Sequence, residues 1–191
     1  MELYFLKLKL LILKFDDLTL FKKLKLTKLS TAEIMSKMTC AKALNKWEED
    51  NGITPSEAET IKLIMTVPLL EVIDQTVLGT LNKCVTLSLA CNAIDKMRPM
   101  PPLRNLRILA LSRNKIKRIN GLDEIGDTLE ELWLSYNQID TLNGLHPCRA
   151  LKVLYMSNNK IKRMEELDKL RDNPKLINVL FMSNPIYEGK T

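Results

Sequence analysis

Asparagine recurs along this chain at positions 92, 114, 137, 159 and 184, at spacings of 22, 23, 22 and 25 residues. Each stands in the same surroundings. The stretches read CVTLSLACNAI (84–94), LRILALSRNKI (106–116), LEELWLSYNQI (129–139), LKVLYMSNNKI (151–161) and LINVLFMSNPI (176–186). With small substitutions, each is LxxLxLxxNxI. A frame returning at a nearly fixed period constrains a chain more than its composition does. One copy offers too little apolar surface for a core, whereas stacked copies join their apolar positions into one.

The frame is the leucine-rich-repeat pattern at a permitted period. It predicts an α/β fold: a right-handed β-α solenoid with a parallel concave sheet and a helical cap at its N-terminal end. Asn92, Asn114, Asn137, Asn159 and Asn184 read as a structural ladder. A primary amide carries donors and an acceptor, and inside a turn it can satisfy backbone groups that the bend exposes. Apolar residues also recur five and eight positions after the asparagine: Ile119 and Leu122, Leu142 and Leu145, Met164 and Leu167. These are expected to line the convex side in short helical or 3₁₀ turns. Asn-Gly-Leu at 120–122 and 143–145 marks the bend between the two sides.

Both ends depart from the frame. Ala58, Ile61 and Leu63 fit it, with Thr66 in the asparagine slot and Pro68 where isoleucine belongs. Before them, CAKALNKWEEDNGI (40–53) predicts a helix with Cys40, Leu44 and Trp47 on one face. Gly52 is expected to end it, and Ile53 to fold back on Trp47. Ser56 and Glu59 have capping-box spacing. A solenoid needs a cap over its first core layer, so Trp47 reads as a cap residue. After the fifth asparagine the given sequence continues only as PIYEGKT. Leu176, Val179 and Phe181 are therefore expected to lie open, unless further chain, a partner or the N-terminal segment covers them. The expected organisation is an atypical extension over 1–37, a helical cap with a first atypical turn over 38–66, and repeats over 67–191.

The extension is rich in leucine and lysine and alternates in places, as a strand with one apolar face does. It holds eight lysines against four carboxylates, a net +4 of the chain's +6, leaving +2 for residues 38–191. The basic character thus belongs mostly to a segment expected to be disordered or loosely docked, with Met38 opening the organised sequence. Nucleic acid is not an expected partner, since that would call for a clustered basic face on the folded part. No apolar run reaches the ~20 residues of a membrane helix, so no integral membrane association is expected. Cys40, Cys84, Cys91 and Cys148 form no CxxC pair and have no histidine nearby. They read as buried reduced thiols of a cytoplasmic protein rather than metal ligands.

Little in the chain points to catalysis. The one histidine, His146, precedes Pro147 in a turn, and the six glycines are scattered rather than gathered into a phosphate loop. Glu130 and Glu131 read as surface charge beside Trp133. No enzyme activity and no cofactor are expected.

Binding has better support. In each frame the residue four before the asparagine points out of the concave sheet: Ser88, Ala110, Trp133, Tyr155, Leu180. One before the asparagine runs a second column, Cys91, Arg113, Tyr136, Asn158, Ser183; between them lies a mostly small one, ending in Met182. Trp133, Tyr155 and Leu180 form an apolar ridge, with Tyr136 and Arg113 beside it and Met182 at its end. Trp, Tyr and Arg dominate interface hot spots, and burying each large apolar side chain contributes roughly 1.5–3 kcal/mol. A second, basic feature follows the asparagines at equivalent positions of two coils: Lys115, Lys117 and Arg118, then Lys160, Lys162 and Arg163. It reads as a solvated rim or as a contact for an acidic surface.

Beyond the repeat class, ALNKWEEDNGITPSEAETIKL, NLRILALSRNKIKRINGLDEIGDTLEELWLSYNQIDTLNGL and LKVLYMSNNKIKRMEEL resemble the leucine-rich-repeat light chain of axonemal outer-arm dynein. The resemblance runs from about residue 40 to 186. GDTLEELWLSYN is its most specific part, because the repeat alone does not require those outward residues. The resemblance implies a non-catalytic solenoid bound to an outer-arm dynein heavy chain in its motor region, with tubulin a further prospective partner. It implies a place in the ciliary or flagellar axoneme and a role in tuning the beat. The family's apolar sheet face corresponds here to Trp133, Tyr136, Tyr155 and Leu180. The chain departs from the family in its first 37 residues and in lacking the family's C-terminal cap after Thr191. The alternative reading is a general leucine-rich-repeat adaptor, of phosphatase-regulatory or scaffold type, for another protein.

Overall fold

The computed structural model describes residues 37–187. The extension expected over 1–37 lies, apart from Lys37, outside the described residues. Six three-residue strands follow in order: β1 (Thr60–Lys62), β2 (Thr86–Ser88), β3 (Ile108–Ala110), β4 (Glu131–Trp133), β5 (Val153–Tyr155) and β6 (Asn178–Leu180). They form one parallel sheet in chain order. Register sets Ile61, Leu87, Leu109, Leu132, Leu154 and Val179 in one row. All but Val179 are fully buried. Two residues on, Leu63, Leu89, Leu111, Leu134, Met156 and Phe181 make a second buried row, as alternation along a strand requires.

The asparagines lock each coil to the one before. Asn137 donates from Nδ2 to the carbonyls of Leu111 (3.0 Å) and Leu134 (2.9 Å), and its Oδ1 accepts from Ile116 N–H at 3.0 Å. Asn114 repeats this set one coil earlier, Asn159 one coil later and Asn184 two coils later. All five asparagines are buried. The residue before each one is left-handed, at φ between 56° and 60°. That turn aims its N–H at the next coil: Arg113 donates to Ser135 O, and Tyr136 to Ser157 O. Cys91, Arg113, Tyr136 and Asn158 accept the strained backbone and each makes this inter-coil bond, while Ser183 in the last described coil keeps the same turn without it.

At the N-terminal end, α1 (Cys40–Asn51) begins at Thr39, whose Oγ1 accepts from Lys42 N–H, and Gly52 N–H donates to Glu48 O. Cys40, Ala43 and Leu44 are buried and Trp47 packs partly buried on the core. Cys40 Sγ also bridges to Val72 O and Asp74 N–H, tying the helix to the first coil. Three sequence expectations fail here. Ile53 stays exposed rather than folding onto Trp47. Ser56 caps nothing, because Pro55–Glu57 is a single 3₁₀ turn that leads into β1. The isoleucine position of the first coil is held by Leu70, not Pro68: Leu70 is fully buried and its N–H donates to Asn92 Oδ1. Two extra residues bulge this turn, so counting from Thr66 misplaces the slot.

On the convex side Ile119, Leu122, Leu142 and Leu145 are buried. The Asn-Gly-Leu bends need glycine. Gly121 (φ 71°) and Gly144 (φ 94°) lie against the preceding coil, where a Cβ would run into the backbone of Pro99 and the carbonyl of Ile119 respectively. The next coil breaks this pattern. Glu166 stands seven residues after its asparagine, where Gly121 and Gly144 stand in theirs. The segment Met164–Asp172 becomes a 3₁₀ helix, which the 25-residue spacing accommodates. Met164, expected to line the convex side as Ile119 and Leu142 do, is instead 45% exposed. At the last coil Val179 is 45% exposed and Leu176 half-buried, but Phe181 is buried, contrary to expectation. It lies in the second inward row, under Met156.

Candidate functional site

The sheet register that buries the leucines turns Ala110, Trp133, Tyr155 and Leu180 outward in one line. The Trp133 and Tyr155 ring centroids lie 6.0 Å apart with planes tilted by 35°, a favourable aromatic geometry. Trp133 is half-buried, and its Nε1–H donates to Glu131 Oε2 at 3.0 Å. That bond satisfies the indole's polar edge within the chain itself and leaves its apolar body toward the concave side. Leu180 (39% exposed) carries the line onto β6, and Met182 (63% exposed) follows just beyond that strand at the end of the neighbouring column.

Beside the ridge runs a shallow column of Ala90, Ser112, Ser135 and Ser157. Across it stands Tyr136, 47% exposed, with the Arg113 guanidinium 4.2 Å from its ring centroid. The left-handed turn holds both side chains upright at neighbouring coils. Mutual stacking restricts them before any partner arrives, which lowers the entropy lost on binding. The structure thus brings Trp133, Tyr136, Tyr155, Leu180, Arg113 and Met182 to one face. The asparagine ladder lies behind the same turns.

Along the other margin Glu130 links Lys152 Nζ (2.6 Å) and Arg107 Nε (4.0 Å). The hydrogen bond from Lys152 holds the Glu130 carboxyl below the ordinary carboxylate range. Glu130 and Glu131 therefore have separate partners, Lys152 and the Trp133 indole. Burial pushes the thiols of Cys84 and Cys148 up to about 11 and 12, so both stay protonated and unreactive near neutrality. Among the described residues no group of three or more His, Cys, Asp or Glu converges on a metal position. No helix there is long and apolar enough to cross a membrane.

One polar centre escapes sequence reasoning. The Glu166 carboxylate is buried, accepting from Thr141 Oγ1 (2.7 Å), Leu142 N–H (2.9 Å) and Lys169 Nζ (2.8 Å). Burial works to raise its pKa, but these donors outweigh burial and hold it at about 2. The available signal was the loss of glycine at the bend position.

Residues 127–169 match the family described as leucine-rich repeats in two copies. A protein of Danio rerio named Dynein axonemal light chain 1 is 51% identical over 155 residues, covering 81% of this chain and 80% of that protein. The chain belongs to the axonemal dynein light chain 1 family. The member from Rattus norvegicus is 50% identical over 98 residues, 51% of each protein, so that alignment spans about half its length. Among solved structures, an internalin from Listeria monocytogenes has the same kind of solenoid. Its TM-score is 0.51 at 20% identity, covering 65% of this chain and 34% of the internalin. That likeness concerns the fold alone. The family's solenoid here is the six-stranded parallel coil whose outward aromatics have just been described.

Proposed function

We propose that the chain is a non-catalytic subunit of axonemal outer-arm dynein. It binds a dynein heavy chain in the motor's microtubule-binding region through the concave face and regulates ciliary or flagellar beating. Its place is the axoneme, where tubulin is within reach as a second partner. The observation that carries this reading is the contiguous Trp133–Tyr155–Leu180 ridge with Tyr136 and Arg113 stacked beside it. The ridge supplies anchors of the hot-spot type, and family membership supplies the class of partner.

The test is retention of heavy chain from axonemal extract by the immobilised full chain and by its Trp133→Ala/Tyr155→Ala variant. Circular dichroism establishes that both are folded. The double variant is expected to retain at least about tenfold less heavy chain, since removing two hot-spot aromatics costs well over 1.4 kcal/mol. Equal retention by both proteins would sink the assignment of this face.

A further inference from the structure

The rim that follows the asparagine ladder carries a cleft of about 390 Å³, lined by Arg118, Asp140, Thr141, Lys160, Lys162 and Lys169 among others. Its wall is held by the buried Glu166, which engages Lys169 at 2.8 Å and Arg163 at 3.4 Å. Asp140 engages Arg118 at 3.3 Å. These pairings account for both carboxylates. Lys160 and Lys162 are exposed at the cleft, and among the described residues no carboxylate stands within ion-pair distance of either. Lys115 and Lys117, at the equivalent positions two coils earlier, are likewise exposed without an acidic partner there. The result is two cationic rows on one rim with their charge unspent.

We propose that this cleft and rim bind an acidic, extended peptide segment of a partner protein, at a surface separate from the concave face. Strand spacing puts the two rows about 10 Å apart along the solenoid axis. An extended segment with acidic residues at alternate positions carries its carboxylates about 7 Å apart, and flexible lysine stems span the difference. A single small anion would use only one row. The arginines, whose planar forks suit bidentate phosphate recognition, are already committed to Asp140 and Glu166. The uncommitted groups are lysines, point charges suited to a run of carboxylates. Asp140 stands between the rows, where its charge opposes the ligand and occupies Arg118. It is the specificity element of the site.

The test uses the full chain and a fluorescent oligoglutamate peptide, with an oligoglutamine peptide as its neutral counterpart. The lysines of residues 1–37 are common to every variant, so differences report the cleft. Lys160→Glu/Lys162→Glu is expected to weaken oligoglutamate binding about tenfold, with the effect shrinking as salt rises. Asp140→Asn is expected to tighten it about twofold to threefold, a gain that misfolding does not produce. Trp133→Ala/Tyr155→Ala is expected to bind the peptide like wild type, which separates this surface from the heavy-chain face. Inorganic phosphate is expected to compete no better than chloride at equal ionic strength. Unchanged affinity in both charge variants, equal binding of oligoglutamine, or selective displacement by phosphate would each overturn the proposal.

Discussion

At the scale of single residues, the asparagine ladder concentrates most of the risk. Asn137 bonds two buried carbonyls and one buried N–H with a single side chain, and each of those carbonyls is shared with the asparagine of a neighbouring coil, whereas Ile116 N–H has Asn137 Oδ1 alone. Asn137→Ala orphans Ile116 N–H and takes one of two amide donors from each of Leu111 O and Leu134 O, which keep Asn114 Nδ2 and Asn159 Nδ2 respectively. The expected cost is about 1–3 kcal/mol, the range for leaving one buried donor unsatisfied. A urea unfolding curve with an unchanged slope and a lower midpoint would bear this out. A loss under about 0.5 kcal/mol would mean that neighbouring groups re-pair. Tyr136 is a different case. Its left-handed backbone is shared with Cys91, Arg113, Asn158 and Ser183, so the strain belongs to the turn and says nothing about function. What distinguishes Tyr136 is the exposed ring stacked under Arg113.

At the scale of elements, the 3₁₀ segment Met164–Asp172 is held to the preceding coil by an ionised group, whereas the equivalent bends use glycine. The Glu166 carboxyl ionises at about 2 in the folded chain against 4.5 as its ordinary value. A depressed carboxyl contributes its stability fully above the ordinary value and loses it as pH falls toward the folded one. The contribution is thus present at neutrality and fades between about pH 5 and pH 2. Glu166→Gln keeps the shape but cannot ionise. Wild type is expected to lose more of its urea midpoint than Glu166→Gln between neutral pH and about pH 3. Parallel pH profiles would show that the carboxylate contributes nothing in its charged form. Because Glu166 walls the basic cleft and engages two of its cations, acidification is also expected to loosen that rim before it affects the concave face.

At the scale of the whole molecule, stability is carried by contacts between neighbouring coils, and position along the stack sets the cost of a change. Leu132 is fully buried between Leu109 and Leu154, with a coil on each side. Leu132→Ala is expected to cost about 2–5 kcal/mol, the range for a cavity in a packed core. Val179 occupies the same row at β6, where it is half-exposed and pairs on one side only among the described residues. Val179→Ala is expected to cost under about 1 kcal/mol, because little apolar surface leaves water there. Chemical denaturation of the two variants side by side tests the stack. Equal losses would contradict the nearest-neighbour account.

The sequence by itself determined the solenoid. A 22-residue frame with inward leucines and a turn asparagine has one economical way to bury both, and the outward columns follow from alternation. That is why the ridge from Trp133 to Leu180 was legible without coordinates: strand periodicity is local, and parallel register carries it from coil to coil. Tertiary structure alone decided what depends on contacts between coils at irregular places. It put Leu70 rather than Pro68 in the first coil's slot, because a bulged turn breaks the count. It buried Phe181 beneath Met156 while leaving Val179 open, and gave Trp133 its bond to Glu131. It also sank Glu166 among Thr141, Leu142 and Lys169, and left Lys160 and Lys162 with no acid within ion-pair distance among the described residues. In one dimension that glutamate is another surface charge. Two of its donors, Thr141 and Leu142, sit about one coil away in sequence, and only stacking brings them within hydrogen-bond distance.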